Sequence, residues 1–335
     1  MVEILSGGTK SAPPALSVRR LAVTFPGPVI AVDGVDLEVA AGRMTCLVGE
    51  SGSGKTVTAQ AIMRLLRTPP AAITAEHLNL DGVDLLSLSP TAMESVRGNR
   101  IAMIFQEPMT SLNPVLTIGR QIAEVYVRHR AMSWSDAEQA AVRMMTRVAV
   151  PNAAERAQSF PHQMSGGMRQ RAMIAMALAC DPRLLIADEP TTALDVTIQA
   201  EILGLLARLQ RDFGTSILFI THNLAVVAEI ADWVYVMYAG RIVESGSREA
   251  IFSGPQHPYT IGLLAAMPRD DGKAGRLAAI PGNVPSPASR PSGCAFHARC
   301  PFADRRCRSE APALRNMGDR HVVACWRAPI EDLAS

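Results

Sequence analysis

Residues 49–56 read Gly49-Glu50-Ser51-Gly52-Ser53-Gly54-Lys55-Thr56, the complete pattern of a phosphate-binding loop. The apolar run in front of this loop predicts a strand, and residues 55–67 behind it predict a helix that ends before two prolines. The glycines let the backbone curl so that successive N–H groups point inward, beside the positive end of that helix. In such a loop Lys55 reaches the β- and γ-phosphates, and Thr56 ligates Mg²⁺. A flexible Gly/Ser linker would lack the flanking strand and helix, so the sequence predicts a nucleoside triphosphate site.

The composition is that of a globular protein without a strong charge. The chain has 335 residues, enough for one large or two modest domains. A net charge of +2 gives no electrostatic reason to expect nucleic acid binding. Residues 1–14 lack the apolar core of a signal sequence, and the longest apolar stretch, residues 172–180, is far shorter than a membrane span. We therefore expect a cytoplasmic protein whose membrane role comes through partners.

Short β-like runs alternate with helical patterns between residues 16 and 246, which predicts an α/β unit with a largely parallel sheet. The predicted strands are 21–25, 45–48, 101–105, 184–187, 217–221 and 234–237. Asp195 as N-cap and Gly214 as C-cap predict a helix between them. Residues 107–175 differ in composition from the segments around them, with a helical pattern of Arg, Met and Ala from 118 to 150. They therefore predict an inserted helical subdomain.

These patterns divide the chain into three parts. Residues 1–15 are predicted to be a flexible N-terminus, and residues 16–255 a nucleotide-binding domain. Residues 256–335 form a predicted C-terminal extension, because the composition after residue 246 shifts toward Pro, Gly and Arg. The hydrophobic content of this extension is too thin for a core of its own.

Two carboxylates follow a second apolar strand, in the sequence Leu184-Leu185-Ile186-Ala187-Asp188-Glu189. In phosphoryl transfer the Asp at the strand end holds Mg²⁺, and the next carboxylate can accept the proton of the attacking water. Gln106 and His222 also follow predicted strands. Because α/β sheets place their ligands at the carboxyl ends of strands, we expect these four side chains to face the phosphate loop.

A second anion-binding pattern occurs at residues 165–170, which read Ser165-Gly166-Gly167-Met168-Arg169-Gln170 and open another helical run. One nucleotide needs only one phosphate cradle, so a second cradle predicts a dimer with composite sites. The alternative is a plain Ser N-cap followed by flexible glycines.

Together these motifs resemble the ATPase subunit of an ABC transporter, and within that superfamily the D-type ATPase subunit of the peptide/nickel importer branch. Three stretches carry the resemblance, namely residues 105–114 (FQEPMTSLNP), 162–171 (HQMSGGMRQR) and 188–195 (DEPTTALD). The sequence His257-Pro258-Tyr259-Thr260 and the terminal cysteines match as well. The family usually has Leu and Gln where this chain has Met164 and Met168, and the second change is typical of this branch.

The resemblance implies a fold and a set of site residues. The fold is an ABC-type nucleotide-binding domain of the P-loop NTPase class, with an inserted helical subdomain. Lys55 and the loop amides would hold the phosphates of ATP. Mg²⁺ would be organised by Thr56, Gln106 and Asp188. Glu189 would be the general base and His222 the γ-phosphate sensor.

Three further roles come from the same resemblance. Phe25 stands where the family stacks a ring on adenine, although it is equally well explained as a core strand residue. Asp195 would lie at the dimer interface, and residues 165–170 would contact the ATP bound to the opposite subunit.

The resemblance also implies partners. They are two integral membrane permease subunits, a second ATPase subunit of the related F-type, and an extracytoplasmic solute-binding protein reached through the permease. Residues 107–120 are the expected dock for the permeases. The chain would then be a peripheral subunit at the cytoplasmic face of the bacterial inner membrane.

Four of the six cysteines lie near the C-terminus, at Cys294, Cys300, Cys307 and Cys325. A reducing cytoplasm argues against disulfides, and the close Cys-x-x-Cys pairs of most zinc sites are absent. His297 and His321 could still complete a mixed zinc site, and unligated thiols remain a further alternative. Four thiolates suit an iron–sulfur cluster, and the family resemblance implies a [4Fe–4S] cluster.

Two other classes of function are weighed against the importer subunit. A soluble ABC-type ATPase acting on nucleic acid or ribosomes usually has paired ATPase domains, long coiled coils or basic arms, and none is present here. A small-molecule kinase would leave residues 165–170 unexplained. Dipeptides, oligopeptides, nickel chelates and glutathione-like peptides all remain open as the transported solute.

Overall fold

The computed structural model describes residues 13–27, 29–107, 111–192, 195–267 and 280–330. Most of the predicted flexible N-terminus lies outside these ranges. So do residues 108–110 and 193–194, which belong to the stretches that carry the family resemblance.

The larger sheet has eight strands, and its centre is parallel. In spatial order the strands are β12 (Arg315–Gly318), β13 (His321–Val323), β11 (Arg241–Ser247), β10 (Trp233–Tyr238), β3 (Met44–Val48), β9 (Ser216–Thr221), β8 (Leu184–Asp188) and β7 (Ile101–Ile104). The five strands from β10 to β7 run parallel, whereas β11, β13 and β12 join as antiparallel neighbours. The predicted largely parallel sheet is therefore confirmed for the strands that precede the site residues. Val48 pairs with Thr221, and Asp188 with Ile220, so these strands end together.

The smaller sheet is antiparallel and covers one face of the larger one. Its strands are β1 (Leu16–Phe25), β2 (Val29–Val39), β4 (Ala72–Thr74), β5 (His77–Leu80) and β6 (Val83–Asp84). The placement of residues 21–25 in the parallel sheet was wrong, because β1 pairs with β2, β4 and β5 instead. A strand buried on one face, as β1 is, favours an antiparallel sheet. Leu21 of β1 and Leu218 of β9 share the core between the two sheets.

The helices flank the larger sheet and build the insert. They are α1 (Lys55–Ile62), α2 (Pro90–Val96), α3 (Ile118–Arg130), α4 (Trp134–Arg147), α5 (Ala153–Arg156), α6 (Gly166–Leu178), α7 (Val196–Phe213), α8 (Leu224–Ile230), α9 (Arg248–Ser253), α10 (Pro258–Ala265) and α11 (Arg305–Ser309). Within the predicted insert, α3, α4 and α6 bury Ile122, Met145 and Ile174 in one core that continues into the larger sheet.

Two helix predictions have different outcomes. Helix α7 agrees with its predicted caps, since the Asp195 carboxylate accepts the N–H of Ile198 at 2.9 Å and Gly214 has φ 64°. Helix α1 ends at Ile62, so the prediction that it extends to residue 67 was wrong. Arg64 adopts a left-handed backbone (φ 51°), and its guanidinium donates to the carbonyls of Leu85 and Leu88. The left-handed backbone at Arg64 departs from helical geometry, so the helix ends before the prolines are reached.

The C-terminal extension is attached to the nucleotide-binding domain by a strand and by aromatic packing. Strand β13 pairs with β11, and Phe296 is buried against the ring of Tyr238 in β10, with Tyr259 of the extension beside it. Its own apolar cluster consists of Val323, Cys325 and Ala328, with Met317 packed beside them. This small cluster agrees with the thin core expected of the extension, and Phe296 is buried against the body of the protein instead.

A buried carboxylate secures this attachment. Glu244 of β11 is fully buried, and it accepts the backbone N–H groups of Gln256 and His257. Its Oε1 also lies 2.8 Å from Nε2 of His321 in β13. Because a buried carboxylate needs such partners, this contact makes the extension part of the same folded unit.

Candidate functional site

The predicted phosphate site lies where four parallel strands end. The loop at residues 49–56 follows β3, Gln106 lies two residues beyond β7, Glu189 follows β8, and His222 follows β9. A cavity of about 700 Å³ opens among them. Its wall includes Glu50, Ser51, Gly52, Gly54, Lys55, Thr56, Gln106, Glu189, Thr192 and His222. The structure therefore brings Lys55, Thr56, Gln106, Glu189 and His222 to one cavity, and Asp188 is hydrogen-bonded to Thr56.

The loop is pressed against neighbouring backbone at two glycines. A Cβ at Gly49 would lie 2.2 Å from the carbonyl oxygen of Met237. A Cβ at Gly54, whose φ is 106°, would lie 2.8 Å from the carbonyl oxygen of Ala31. Since no side chain fits at either position, these glycines fix the path by which the chain enters α1.

Lys55 is held inside the curve of the loop. Its side chain is only 5% exposed, and Nζ donates to the carbonyl oxygens of Gly49 (2.8 Å) and Glu50 (3.0 Å). Burial lowers the pKa of Lys55, while the charges of Glu189, Asp188 and Glu50 oppose that shift. Nζ lies 3.9 Å from the Glu189 carboxylate, which is too far for a close ion pair. A triphosphate could therefore bind the ammonium without first breaking such a pair.

Asp188 and Thr56 offer oxygen atoms to a metal ion. The Thr56 hydroxyl donates to Oδ1 of Asp188 at 3.2 Å, and Asp188 is 2% exposed. Burial raises the pKa of Asp188, and the hydrogen bond from Thr56 opposes the shift. Hydroxyl and carboxylate oxygens beside a phosphate loop are the ligands that Mg²⁺ prefers, so these residues fit the ion.

Glu189 is surrounded by polar side chains at the end of β8. Its Oε2 lies 3.4 Å from Nε2 of Gln106, 3.2 Å from Nδ1 of His222 and 3.0 Å from the hydroxyl of Thr192. The residue has a left-handed backbone (φ 47°), and its N–H donates to Ile220 of β9. A carboxylate in this place can accept a proton from a water molecule that attacks the terminal phosphate.

Thr192 is a polar neighbour that the sequence analysis missed. Its hydroxyl donates to Glu189 across a turn, in which the Thr192 N–H also bonds to the Glu189 carbonyl. The available signal was its position three residues after Glu189, where a turn brings the two side chains together.

Residues 165–170 do not contribute to the cavity described above. Ser165 is exposed and caps α6, because its hydroxyl accepts the N–H of Met168 at 3.3 Å. Gly166 is exposed, whereas Gln170 is buried. A Cβ at Gly167 would lie 3.1 Å from Ile198 of α7, the helix that Asp195 caps. The start of α6 therefore borders α7, with Ser165 and Gly166 at the surface.

Phe25 lies outside the wall of the cavity. Its ring is partly buried and packs against the core between the two sheets. From the neighbouring strand β2, it is Ala31 that lines the cavity. In this structure Phe25 is a core strand residue, and its contact with adenine remains a prediction.

The four C-terminal cysteines are near one another and carry no disulfide. Burial raises the pKa of Cys294 and of Cys300 to about 11, and the charges of neighbouring cysteines add to both shifts. Among the residues that the structure describes, no group of three or more His, Cys, Asp or Glu is placed to hold a metal ion. The mixed zinc site is therefore not formed among these residues, where Nε2 of His321 pairs with Glu244 and Nδ1 of His297 lies 2.8 Å from the Cys294 carbonyl.

A phosphate loop, a carboxylate pair after a parallel strand and a serine-capped helix within an inserted subdomain define the ABC class of ATPases. A family model described as "ABC transporter" matches residues 32–192, and one for the C-terminal region of oligopeptide/dipeptide transporters matches residues 243–307. The chain belongs to the ABC transporter family, among its ATP-binding subunits with this C-terminal region.

Curated relatives and solved structures agree with that assignment. A putative peptide import ATP-binding protein of Brucella melitensis is 52% identical over 331 residues, which cover 95% of this chain and 98% of the relative. The dipeptide transport ATP-binding protein DppD of Bacillus subtilis is 49% identical, with 93% and 94% covered. The ATP-binding cassette MJ0796, solved as a dimer bound to ADP and Pi, aligns with a TM-score of 0.62 at 25% identity, covering 70% of this chain and 98% of the cassette.

Helices in the described ranges are all too short or too polar to cross a membrane.

Proposed function

We propose that this chain is the ATP-hydrolysing subunit of an importer for dipeptides or oligopeptides. The observation that carries the proposal is the gathering of Lys55, Thr56, Glu189 and His222 around one cavity, with Asp188 bonded to Thr56, in a chain that has the oligopeptide/dipeptide C-terminal region. Relatives with about half of their residues identical to this chain are named for peptide import or dipeptide transport, which supports peptides as the solute of this chain.

Each side chain in the cavity has a proposed task. Lys55 and the loop amides bind the phosphates of ATP, and Thr56, Asp188 and Gln106 hold Mg²⁺, which neutralises phosphate charge. Glu189 takes the proton of the attacking water. His222 contacts the γ-phosphate.

A second subunit is proposed to complete the site. Ser165 and Gly166 are exposed and do not line the cavity of their own chain, so they can face the ATP of a neighbour. The solved cassette MJ0796 is a dimer, which supports this arrangement. Asp195, which is exposed at the start of α7, would lie in the same interface. The partner is proposed to be a related F-type ATPase subunit.

Two permease subunits are proposed to dock beside this interface, at the cytoplasmic face of the membrane. Phe105 and Val115 flank the start of the insert, and they are 41% and 75% exposed. Large apolar side chains at the surface often mark contacts with other proteins. The solute-binding protein would act from outside the cell through these permeases.

Transport by the assembled complex tests the proposal. We would purify the chain from membranes with its co-expressed permeases and partner ATPase, place the complex in vesicles, and measure uptake of a labelled peptide. We expect ATP-dependent uptake that requires the binding protein. Purification with RNA or ribosomes, and without permeases, would instead support the soluble ATPase and contradict an importer.

We further infer that Cys294, Cys300, Cys307 and Cys325 hold a [4Fe–4S] cluster. Each ligand of such a cluster binds a different iron, so the sulfurs stand further apart than around one metal ion. The four cysteines are close enough for their charges to affect one another's pKa, yet they form no site for a single metal ion. The wider spacing of sulfurs around a cluster is compatible with both observations.

Two features of the extension suit an anionic cluster. The backbone N–H of Arg327 donates to the sulfur of Cys325 at 3.3 Å, and the backbone N–H groups of Phe296 and Phe302 oppose the rise in the pKa of Cys294 and of Cys300. Such bonds stabilise thiolates and tune clusters. Residues 280–330 also contain eight arginines against three carboxylates, which offsets the negative charge of a cluster. The cluster would supply a structural or sensory function, because ATP hydrolysis needs no electron.

Replacing Cys300 by serine should remove the cluster. We expect anaerobically purified wild-type protein to show broad visible absorption with matching iron and sulfide contents, and Cys300→Ser to lose most of both, because three thiolates bind the cluster less firmly than four. Cys180→Ala is the matched control, since this buried cysteine lies two residues after α6, outside the extension. Stoichiometric zinc or a metal-free protein would contradict the inference.

A further inference from the structure

The C-terminal extension contacts the phosphate loop through an ion pair between Arg299 and Glu50. The two side chains meet in a bidentate geometry, with Nη1 to Oε1 and Nη2 to Oε2 both 2.9 Å. The side chain of Arg299 is 6% exposed, and that of Glu50 is 30% exposed. Parallel charge-assisted hydrogen bonds of this kind are among the strongest in proteins.

The extension holds this guanidinium in place from several sides. Arg299 also donates to the carbonyl oxygens of Pro281 (2.8 Å) and Ile280 (3.3 Å), and to the hydroxyl of Tyr238 (3.3 Å). Arg299 directly precedes Cys300, one of the four grouped cysteines. The position of the guanidinium is therefore set by the fold of the extension.

A second contact reaches the same loop residue. The backbone N–H of Glu50 donates to the hydroxyl of Tyr259 at 2.8 Å, and the ring of Tyr259 packs on Phe296, which like Tyr259 belongs to the extension. Both the backbone and the side chain of Glu50 are thus held by residues outside the loop.

The Glu50 carboxylate is an unfavourable charge beside bound phosphate. Glu50 lines the nucleotide cavity. Its charge acts on Lys55, where it opposes the lowering of the pKa by burial. Without a partner, this carboxylate would repel the phosphates and compete with them for the Lys55 ammonium. Arg299 both neutralises the carboxylate and holds it at the rim.

We propose that Arg299 is a positioning residue for ATP binding, which neutralises Glu50 and holds it away from the phosphates and from Lys55. This role rests on the proposed ATP site, and it makes the extension a part of that site. Because the arginine acts only through Glu50, its loss should be compensated when Glu50 loses its charge.

The test measures binding of a fluorescent ATP analogue with Mg²⁺ to the full chain. We expect Arg299→Ala to weaken binding on the order of tenfold, the size of a typical coupling between neighbouring sites. We expect the double variant Arg299→Ala with Glu50→Gln to recover most of the wild-type affinity. Arg306→Ala is the matched control, because this exposed arginine of the extension pairs with Glu310, away from the loop, and should bind as wild type does.

Three outcomes separate the inference from the proposed function. Arg299→Ala with wild-type affinity, or a double variant as weak as Arg299→Ala, overturns the inference and leaves the ATP site intact. A wild-type chain that binds no ATP contradicts the proposed function itself. If Arg299→Ala does not fold, Arg299→Lys keeps the charge without the bidentate geometry, and Glu50→Gln must likewise restore any affinity that it loses.

Discussion

Replacing Glu189 by glutamine should reduce ATP hydrolysis by about 10²–10⁴-fold while ATP binding persists. Glutamine has the shape of the proposed base but cannot accept the proton of the attacking water. Its neighbours Gln106, Thr192 and His222 can hold the amide as they hold the carboxylate. Phosphate release measures the first effect, and equilibrium binding of a fluorescent ATP analogue measures the second.

The same variant should stabilise the closed dimer, because ATP then stays between the subunits. Size-exclusion chromatography with ATP would show this as a larger particle for Glu189→Gln than for wild type. Glu201→Gln is the matched control, since that carboxylate is half exposed and pairs with Arg171 on the surface. Hydrolysis at the normal rate in Glu189→Gln would show that another group is the base.

Replacing Lys55 by alanine should weaken ATP binding by about 10- to 150-fold. A hydrogen bond to a charged group contributes about 1.5–3 kcal/mol, and each 1.4 kcal/mol corresponds to tenfold in affinity. In the structure Lys55 contacts backbone carbonyls and makes no close ion pair, so the lost charge is felt mainly by the ligand.

The control for this variant is Arg67→Ala. Arg67 is an exposed residue that follows α1 in the sequence. Its replacement by alanine removes one positive charge, as Lys55→Ala does, but at some distance from the loop. Titration with the fluorescent ATP analogue should give wild-type affinity for Arg67→Ala. Equal affinities for Lys55→Ala and wild type would mean that the loop does not bind phosphate through this side chain.

Local sequence patterns predicted the centre of the site well. Three features can each be recognised from a few neighbouring residues: the strand before residue 49, the strand that ends at Asp188, and the helix cap at Asp195. Because parallel strands end at one side of a sheet, those signals also placed Gln106 and His222 correctly beside the loop.

The sequence could not predict contacts between distant parts of the chain. Arg299 and Glu50 are 249 residues apart, and the pair forms only because the extension folds back onto the loop. The sheet that contains residues 21–25 was also missed, since pairing partners in β2 and β4 depend on the turns between strands. The end of α1 was missed because Arg64 takes a left-handed backbone that no local residue pattern required.

Strand β13 has a consequence for any truncated form of this chain. It covers the outer side of β11 through the pairs Glu244–Val323 and Ser245–Val322. A chain cut at residue 255 would leave the hydrogen-bonding groups of β11 open to solvent and Glu244 without His321. Unpaired sheet edges recruit strands from other molecules, so the isolated ATPase portion should aggregate where the full chain stays dispersed.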